Sequence, residues 1–131
     1  MRLLIDTDVL LDFAIGREPY FQASKEILNW ANHHPGQCAV AWHSLANLHY
    51  LIKSGEADFI SDLLEFVEVP GTGTQEMRYA LNLKFSDLED AMQVSAGMLF
   101  GAQIIVSRNL KHYRKSPIRV MSPIEILPLL A

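Results

Sequence analysis

The sequence predicts an α/β domain: a central parallel sheet of about five strands, covered by helices on both faces in a three-layer α/β/α stack. Three observations predict it. Short apolar runs alternate with helix-patterned stretches along the chain, as parallel strands joined by helical crossovers require. The 131 residues are 50% hydrophobic and 20% charged, enough for one domain, residues 1–131, with a real core. Acidic and polar clusters stand just beyond two of the apolar runs, where open α/β sheets bind ligands.

Residues 1–5 form a short apolar run cut by Asp6 and Asp8, which reads as a buried strand. Residues 9–13 continue as a first helical turn. Glu18-Pro19 is expected to open the second helix, with Pro at its first position. Phe21, Ser24, Ile27, Leu28 and Ala31 then recur at helical spacing, until Asn32-His33-His34-Pro35-Gly36 breaks the pattern. Cys38-Ala39-Val40 is the second strand. Helices follow over residues 44–52 and 57–66, divided by Ser54-Gly55, and residues 66–69 are the third strand. Residues 74–83 and 86–101 are helical, with Gly101 suited to a C-terminus. Ile104-Ile105-Val106 and residues 118–121 complete the strands. Ser122-Pro123-Ile124-Glu125 opens a last short helix with a capping box.

Cys38 is the lone cysteine, so no internal disulfide and no cysteine-based zinc cluster is expected; a reducing cytoplasm fits. The run Leu3-Leu4-Ile5 is too short for a leader or a membrane span. The net charge of −4 means that nucleic-acid contact must rest on a local basic patch or a bound metal. Arg108, Lys111, Arg114 and Lys115 form that one basic run; its plain alternative is a solvated loop.

Asp6 and Asp8 follow the first strand, and Ser107, Arg108 and Asn109 follow the fourth. Asp87 and Asp90 share one side of the first turn of the helix leading into it. Ser86 and Glu89 are expected to cap that turn and leave both acids free. Converging carboxylates resist joint ionisation unless a cation joins them, and Mg²⁺ or Mn²⁺ suits all-oxygen ligands. Each acid also has a plainer reading. Asp6 can cap the helix that follows it, and Asp87 can complement the helix dipole. Asp90, beside Ala91-Met92, is harder to explain without a partner. Asp12 reads as a solvated helix residue, His33 and His34 as surface residues, and the Met residues as core filler.

Leu3-Leu4-Ile5-Asp6-Thr7-Asp8-Val9-Leu10 resembles the first motif of PIN domains. Asp87-Leu88-Glu89-Asp90-Ala91-Met92-Gln93 resembles their central Asp-x-x-Asp-Ala motif, and Ile105-Val106-Ser107-Arg108-Asn109-Leu110-Lys111-His112-Tyr113 their Thr-Arg-Asp/Asn motif. Val120-Met121-Ser122-Pro123 resembles their terminal strand and helix. The ordered set spans almost the whole chain. The resemblance implies a PIN-like, Rossmann-like sheet and a Mg²⁺- or Mn²⁺-dependent ribonuclease of the VapC-like toxin kind. It implies metal ligands Asp6 and Asp90 with Asp87 adjoining, and a catalytic set of these three with Asn109. Asn47, Ser107, Arg108 and Lys111 are implied on the substrate side. Asn47 and Asn109 stand where the family usually has acids, which should weaken metal binding. The resemblance also implies an RNA substrate, an antitoxin protein as partner and a homodimer. Two alternatives stand beside it. One is a PIN-like module that binds RNA or protein without cutting. The other is a haloacid-dehalogenase-like phosphatase with Asp6 as nucleophile and Asp8 as general acid.

Overall fold

The structure, a computed structural model, describes residues 1–52 and 56–130; the expected break at Ser54-Gly55 lies outside the described residues. Strand β1 (Leu3–Ile5) is buried on both faces, so its three consecutive apolar residues follow the pattern of a covered parallel strand. Side chains alternate across it. Leu3 and Ile5 pack with Val9, Leu10 and Ile27, whereas Leu4 packs with Val94, Ala96 and Ile105. These two separate cores are the two helix-covered faces predicted for the sheet.

Strands β2 (Cys38–Ala39), β3 (Val67–Glu68), β4 (Ile104–Val106) and β5 (Arg119–Met121) join β1 in the order β3-β2-β1-β4-β5, all parallel. Strand β4 has the three residues expected, and the other strands are shorter than the runs that announced them. The order reverses between β1 and β4, and the register there pairs Ile5 with Val106. Asp6 and Ser107 therefore leave the sheet side by side.

Helices α1 (Thr7–Ala14), α2 (Phe21–His33), α3 (Trp42–Leu51) and α4 (Glu56–Leu63) connect the first strands. Helix α2 starts later than Glu18-Pro19 suggested, because a turn closed by Tyr20 N–H donating to the Arg17 carbonyl comes first. Helices α5 (Thr74–Asn82) and α6 (Leu88–Phe100) pack together on the Leu4 face. Gly101 ends α6 in the left-handed region at φ +80°, and its N–H donates back to the Gly97 carbonyl. Helix α7 (Pro123–Ile126) has the expected reciprocal cap between Ser122 and Glu125.

Three local expectations are corrected. Asp87, and not Ser86, caps α6, accepting from Glu89 N–H at 2.8 Å. The cap uses the nearer side-chain oxygen, so Glu89 turns elsewhere. Asp12 is fully buried instead of solvated, because Arg108 neutralises it. Of the methionines, Met121 is buried but Met77 and Met98 are exposed. Cys38 is also fully buried, and burial pushes its thiol up to about 12. Among the described residues no helix is long and apolar enough to cross a membrane.

Candidate active site

The reversal between β1 and β4 opens a crevice at the carboxyl ends of both strands. Asp6 is the first residue beyond β1 and the N-cap of α1. One of its oxygens, Oδ1, accepts from Thr7 N–H at 2.7 Å, so the capping reading of this residue is realised. The other, Oδ2, accepts from Ser107 Oγ and from the Tyr113 hydroxyl, each at 2.8 Å. Capping and a chemical role thus divide the two oxygens of one carboxylate.

Asp90 comes from the first turn of α6, with Oδ1 3.3 Å from the same Tyr113 hydroxyl and Oδ2 3.1 Å from His112 Nδ1. The Oδ2 atom is buried and no hydrogen bond reaches it in good geometry. Burial, then the nearby Asp6 and Asp87 charges, push Asp90 up to about 6. Asp8 is pushed up to about 7 by burial first and Asp6 second. Its Oδ2 accepts from Arg108 N–H at 3.0 Å, while its Oδ1 is buried with no partner. Asp8 Oδ1 therefore has no partner and Asp90 Oδ2 only the His112 ring outside hydrogen-bond geometry, beside acids that resist sharing negative charge.

An open groove of about 540 Å³ brings together Asp6, Asp87, Asp90, Asn47 and Asn109 from the expected set. Ser107 lies beneath it, tied to Asp6, and its Oγ also accepts from Asn109 N–H. Asn47 donates from Nδ2 to Glu89 Oε2 at 3.4 Å, so the amide and an acid face one another across the groove. Arg108 is not in the groove: its guanidinium makes bonds of 2.6 and 3.1 Å to Asp12 and lies 3.9 Å over the Tyr20 ring. That side chain has a structural partner, and phosphate contact is not part of its geometry. Lys111 is exposed on the 3₁₀ turn Leu110–Tyr113, whose neighbouring His112 faces the groove instead.

Sequence reasoning gave Asp8 a role only in the phosphatase alternative and passed over Glu89, His112, Tyr113 and His43 as site residues, though all but Tyr113 line the groove. Asp8 carried a signal, its position two residues after Asp6. His112 and Tyr113 end the run that resembles the Thr-Arg-Asp/Asn motif but drew no role, since their orientation depends on a 3₁₀ turn. Burial lowers the His43 pKa, and its Nε2 meets the Glu89 carbonyl at 3.1 Å. Behind the acids, Gln93 donates to Ser44 Oγ at 2.7 Å and Thr7 donates to the same oxygen at 2.8 Å, locking α1, α3 and α6 together.

Among the described residues no three His, Cys, Asp or Glu side chains are already gathered as an ion-holding group. The donor chemistry nevertheless fits a hard divalent cation: all-oxygen ligands, two of them buried without a hydrogen bond, on acids whose charges repel.

Fold and site together define an α/β domain with an acidic crevice at its sheet switch point. The family model described as PIN domain matches residues 2–111, and the chain belongs to that family. His112 and Tyr113 lie just beyond the matched stretch. Solved structures share the fold. VapBC2 from Rickettsia felis, bound to a DNA fragment from its promoter, is similar at 15% identity and TM-score 0.68, over 93% of this chain and 98% of that one. A toxin–antitoxin complex from Klebsiella pneumoniae is similar at 20% identity and TM-score 0.63, over 92% and 97%. FitAcB from Neisseria gonorrhoeae is similar at 12% identity and TM-score 0.58, over 93% and 98%. No curated protein sequence matches the chain.

Proposed function

We propose that this PIN domain is a Mg²⁺- or Mn²⁺-dependent endoribonuclease acting as the toxin of a toxin–antitoxin pair. The observation that carries the reading is the convergence of Asp6, Asp8 and Asp90 at the β1/β4 crevice, with buried oxygens left without hydrogen bonds. These three would hold the ion, with Asp87 and Glu89 at the groove's edge. A bound ion offsets phosphate charge and lowers the pKa of an attacking water.

The chain's own residues supply orientation. Ser107 and Tyr113 fix the Asp6 oxygen that faces the crevice. Asn109 and Asn47 offer neutral groups on opposite walls, hydrogen-bonding without adding charge against a phosphate. His112, with a side chain 55% exposed beside Asp90, places a ring at the groove mouth within reach of a phosphate oxygen. Lys111 and Arg114, exposed on the same turn, supply local positive charge that the net charge of −4 does not.

An antitoxin partner is supported by the structural relatives, two of which are described as VapBC2 and as a toxin–antitoxin complex. A homodimer is part of the same reading. A binding-only module is the second reading, favoured by the Tyr113 hydroxyl between Asp6 and Asp90 and by amides at positions 47 and 109. Cleavage of a mixed single-stranded RNA pool with Mg²⁺, Mn²⁺ or EDTA separates the two. Metal-dependent cleavage lost in both Asp6→Asn and Asp90→Asn supports the enzyme; metal-independent binding with no cleavage supports the module. Hydrolysis of p-nitrophenyl phosphate would instead revive the phosphatase.

A further inference from the structure

Beside the acidic groove, and sharing His43 with it, lies a second pocket of about 300 Å³ walled by Trp42, Met77 and Met92. We infer that this pocket receives one unstacked nucleobase of a single-stranded RNA, seated against Trp42, next to the phosphate held in the groove. The inference rests on the ribonuclease reading and names the part of the substrate that the acids do not touch.

Four observations carry it. Trp42 opens α3 with 73% of its surface exposed, a large ring presented to solvent at the pocket wall. Aromatic faces exposed beside a phosphate site are the usual stacking platforms for single strands, and sequence-specific RNA recognition targets splayed bases. The position is right for a neighbouring nucleotide. Met92 and Ser95 line the pocket two and five residues past Asp90 on α6, or roughly 3 and 7.5 Å along the helix at its ordinary rise. The pocket and the acids are thus neighbours on one helix, within reach of adjacent nucleotides of one strand.

The pocket is also built in advance. Ser95 Oγ donates to the Glu76 carbonyl at 2.7 Å, tying α5 to α6, and Gly73 N–H donates to Glu76 Oε1 at 2.8 Å, fixing the loop that forms the rim. Finally, its chemistry is that of a base and not of a phosphate. Glu76, Thr72 and Thr74 suit exocyclic amino groups and ring nitrogens, and among the described residues Glu76 is the one acid lining it and no Lys or Arg does.

Intrinsic fluorescence tests this without relying on cleavage. The chain has two tryptophans, Trp30 and Trp42, so Trp30→Phe leaves Trp42 as the single reporter. That protein is titrated in EDTA with a single-stranded RNA hexamer, and with versions carrying one abasic nucleotide at each position in turn. The expected result is saturable quenching, with one abasic position weakening binding by about 5- to 100-fold, the range of a lost base–aromatic stack. In the Trp30-containing protein, Trp42→Ala should lose the same factor by filter binding and become indifferent to the abasic position. Trp42→Tyr should restore part of it. Equal affinity for every abasic RNA, no saturable quenching, or wild-type binding by Trp42→Ala overturns the inference. So does Trp42 emission that follows protein concentration and not RNA, which would give the face to a second copy, or quenching by an acid-free apolar peptide alone, which would give it to a protein partner. Because metal is absent throughout, an abasic-sensitive site in a chain that never cleaves would refute the ribonuclease reading alone.

Discussion

Arg108 lays its guanidinium 2.6 Å from the fully buried carboxylate of Asp12, while its own backbone N–H donates to Asp8 in the groove. One residue thus joins a buried charge in α1 to the turn that shapes the candidate active site. Arg17 reaches the same carboxylate at 3.6 Å, a weaker second contact.

Removing the first contact should be costly. Arg108→Leu leaves Asp12 buried with Arg17 alone, and breaking a buried pair in this way typically costs about 3–5 kcal/mol. Because Arg17 remains and the Arg108 side chain is 22% exposed, a value below that range is expected, about 2–3 kcal/mol by urea denaturation. Arg108→Lys should recover only part of it, since an ammonium cannot reproduce the two bonds to Asp12 or the contact with Tyr20. An Arg108→Leu protein as stable as the wild type would mean that the pair carries no net stability.

Metal-free stability should fall as pH rises through neutrality. Asp8 and Asp90 have folded values of about 7 and about 6, against an ordinary 3.8. Between about pH 4 and pH 7 the folded chain therefore binds more protons than the unfolded chain, and the slope of stability against pH is negative. In EDTA the melting temperature is expected to drop from pH 5 to pH 8, by an amount equivalent to about 1–3 kcal/mol. Asp8→Asn should flatten the drop, and saturating Mn²⁺ should reverse it at pH 8. A melting temperature that is level or rising over this range in EDTA would contradict the charge repulsion on which it rests.

Much of the fold was legible because the central strands β1 and β4 are continuous apolar runs and the helices between strands carry apolar faces. Leu3-Leu4-Ile5 and Ile104-Ile105-Val106 gave both the strands and the doubly covered sheet. Asp6 and Asp90 were legible for the same reason: each interrupts or adjoins apolar sequence that has to be buried. Asp12 and Arg108 were misjudged, since their pairing spans 96 positions and leaves no local trace. Tyr113 was invisible for a similar reason. Its hydroxyl reaches Asp6 across 107 positions from a 3₁₀ turn, where side-chain direction follows no sequence period. At the start of α6, Ser86 and Asp87 both offered a capping oxygen, and the capping-box pattern with Glu89 favoured Ser86 where Asp87 is the cap.

The amides in the groove should limit cation binding. Asn109→Asp places a carboxylate where a neutral amide now lines the groove, and at an effective dielectric of about 20 the added attraction is a few kcal/mol at most. Calorimetry should show Mn²⁺ binding tightened by about 10-fold or more in Asn109→Asp, and abolished in Asp90→Asn. Unchanged affinity in Asn109→Asp would put position 109 outside reach of the ion. Tighter binding with slower RNA cleavage would mean that the extra charge repels the phosphate.

The burial of Cys38 in β2, hydrogen-bonded between β1 and β3, gives the molecule an internal clock. As the chain's single sulfhydryl, it can meet a water-borne reagent such as Ellman's only when the sheet itself parts. Chromophore release in native buffer therefore counts sheet-opening events one molecule at a time, with no second thiol to blur the trace. A cation held by residues at the ends of the neighbouring strands should slow that count by the factor of one plus its concentration over its Kd, provided only the closed form binds it. Ion binding could then be timed from the far side of the sheet, in a protein that has never been shown an RNA.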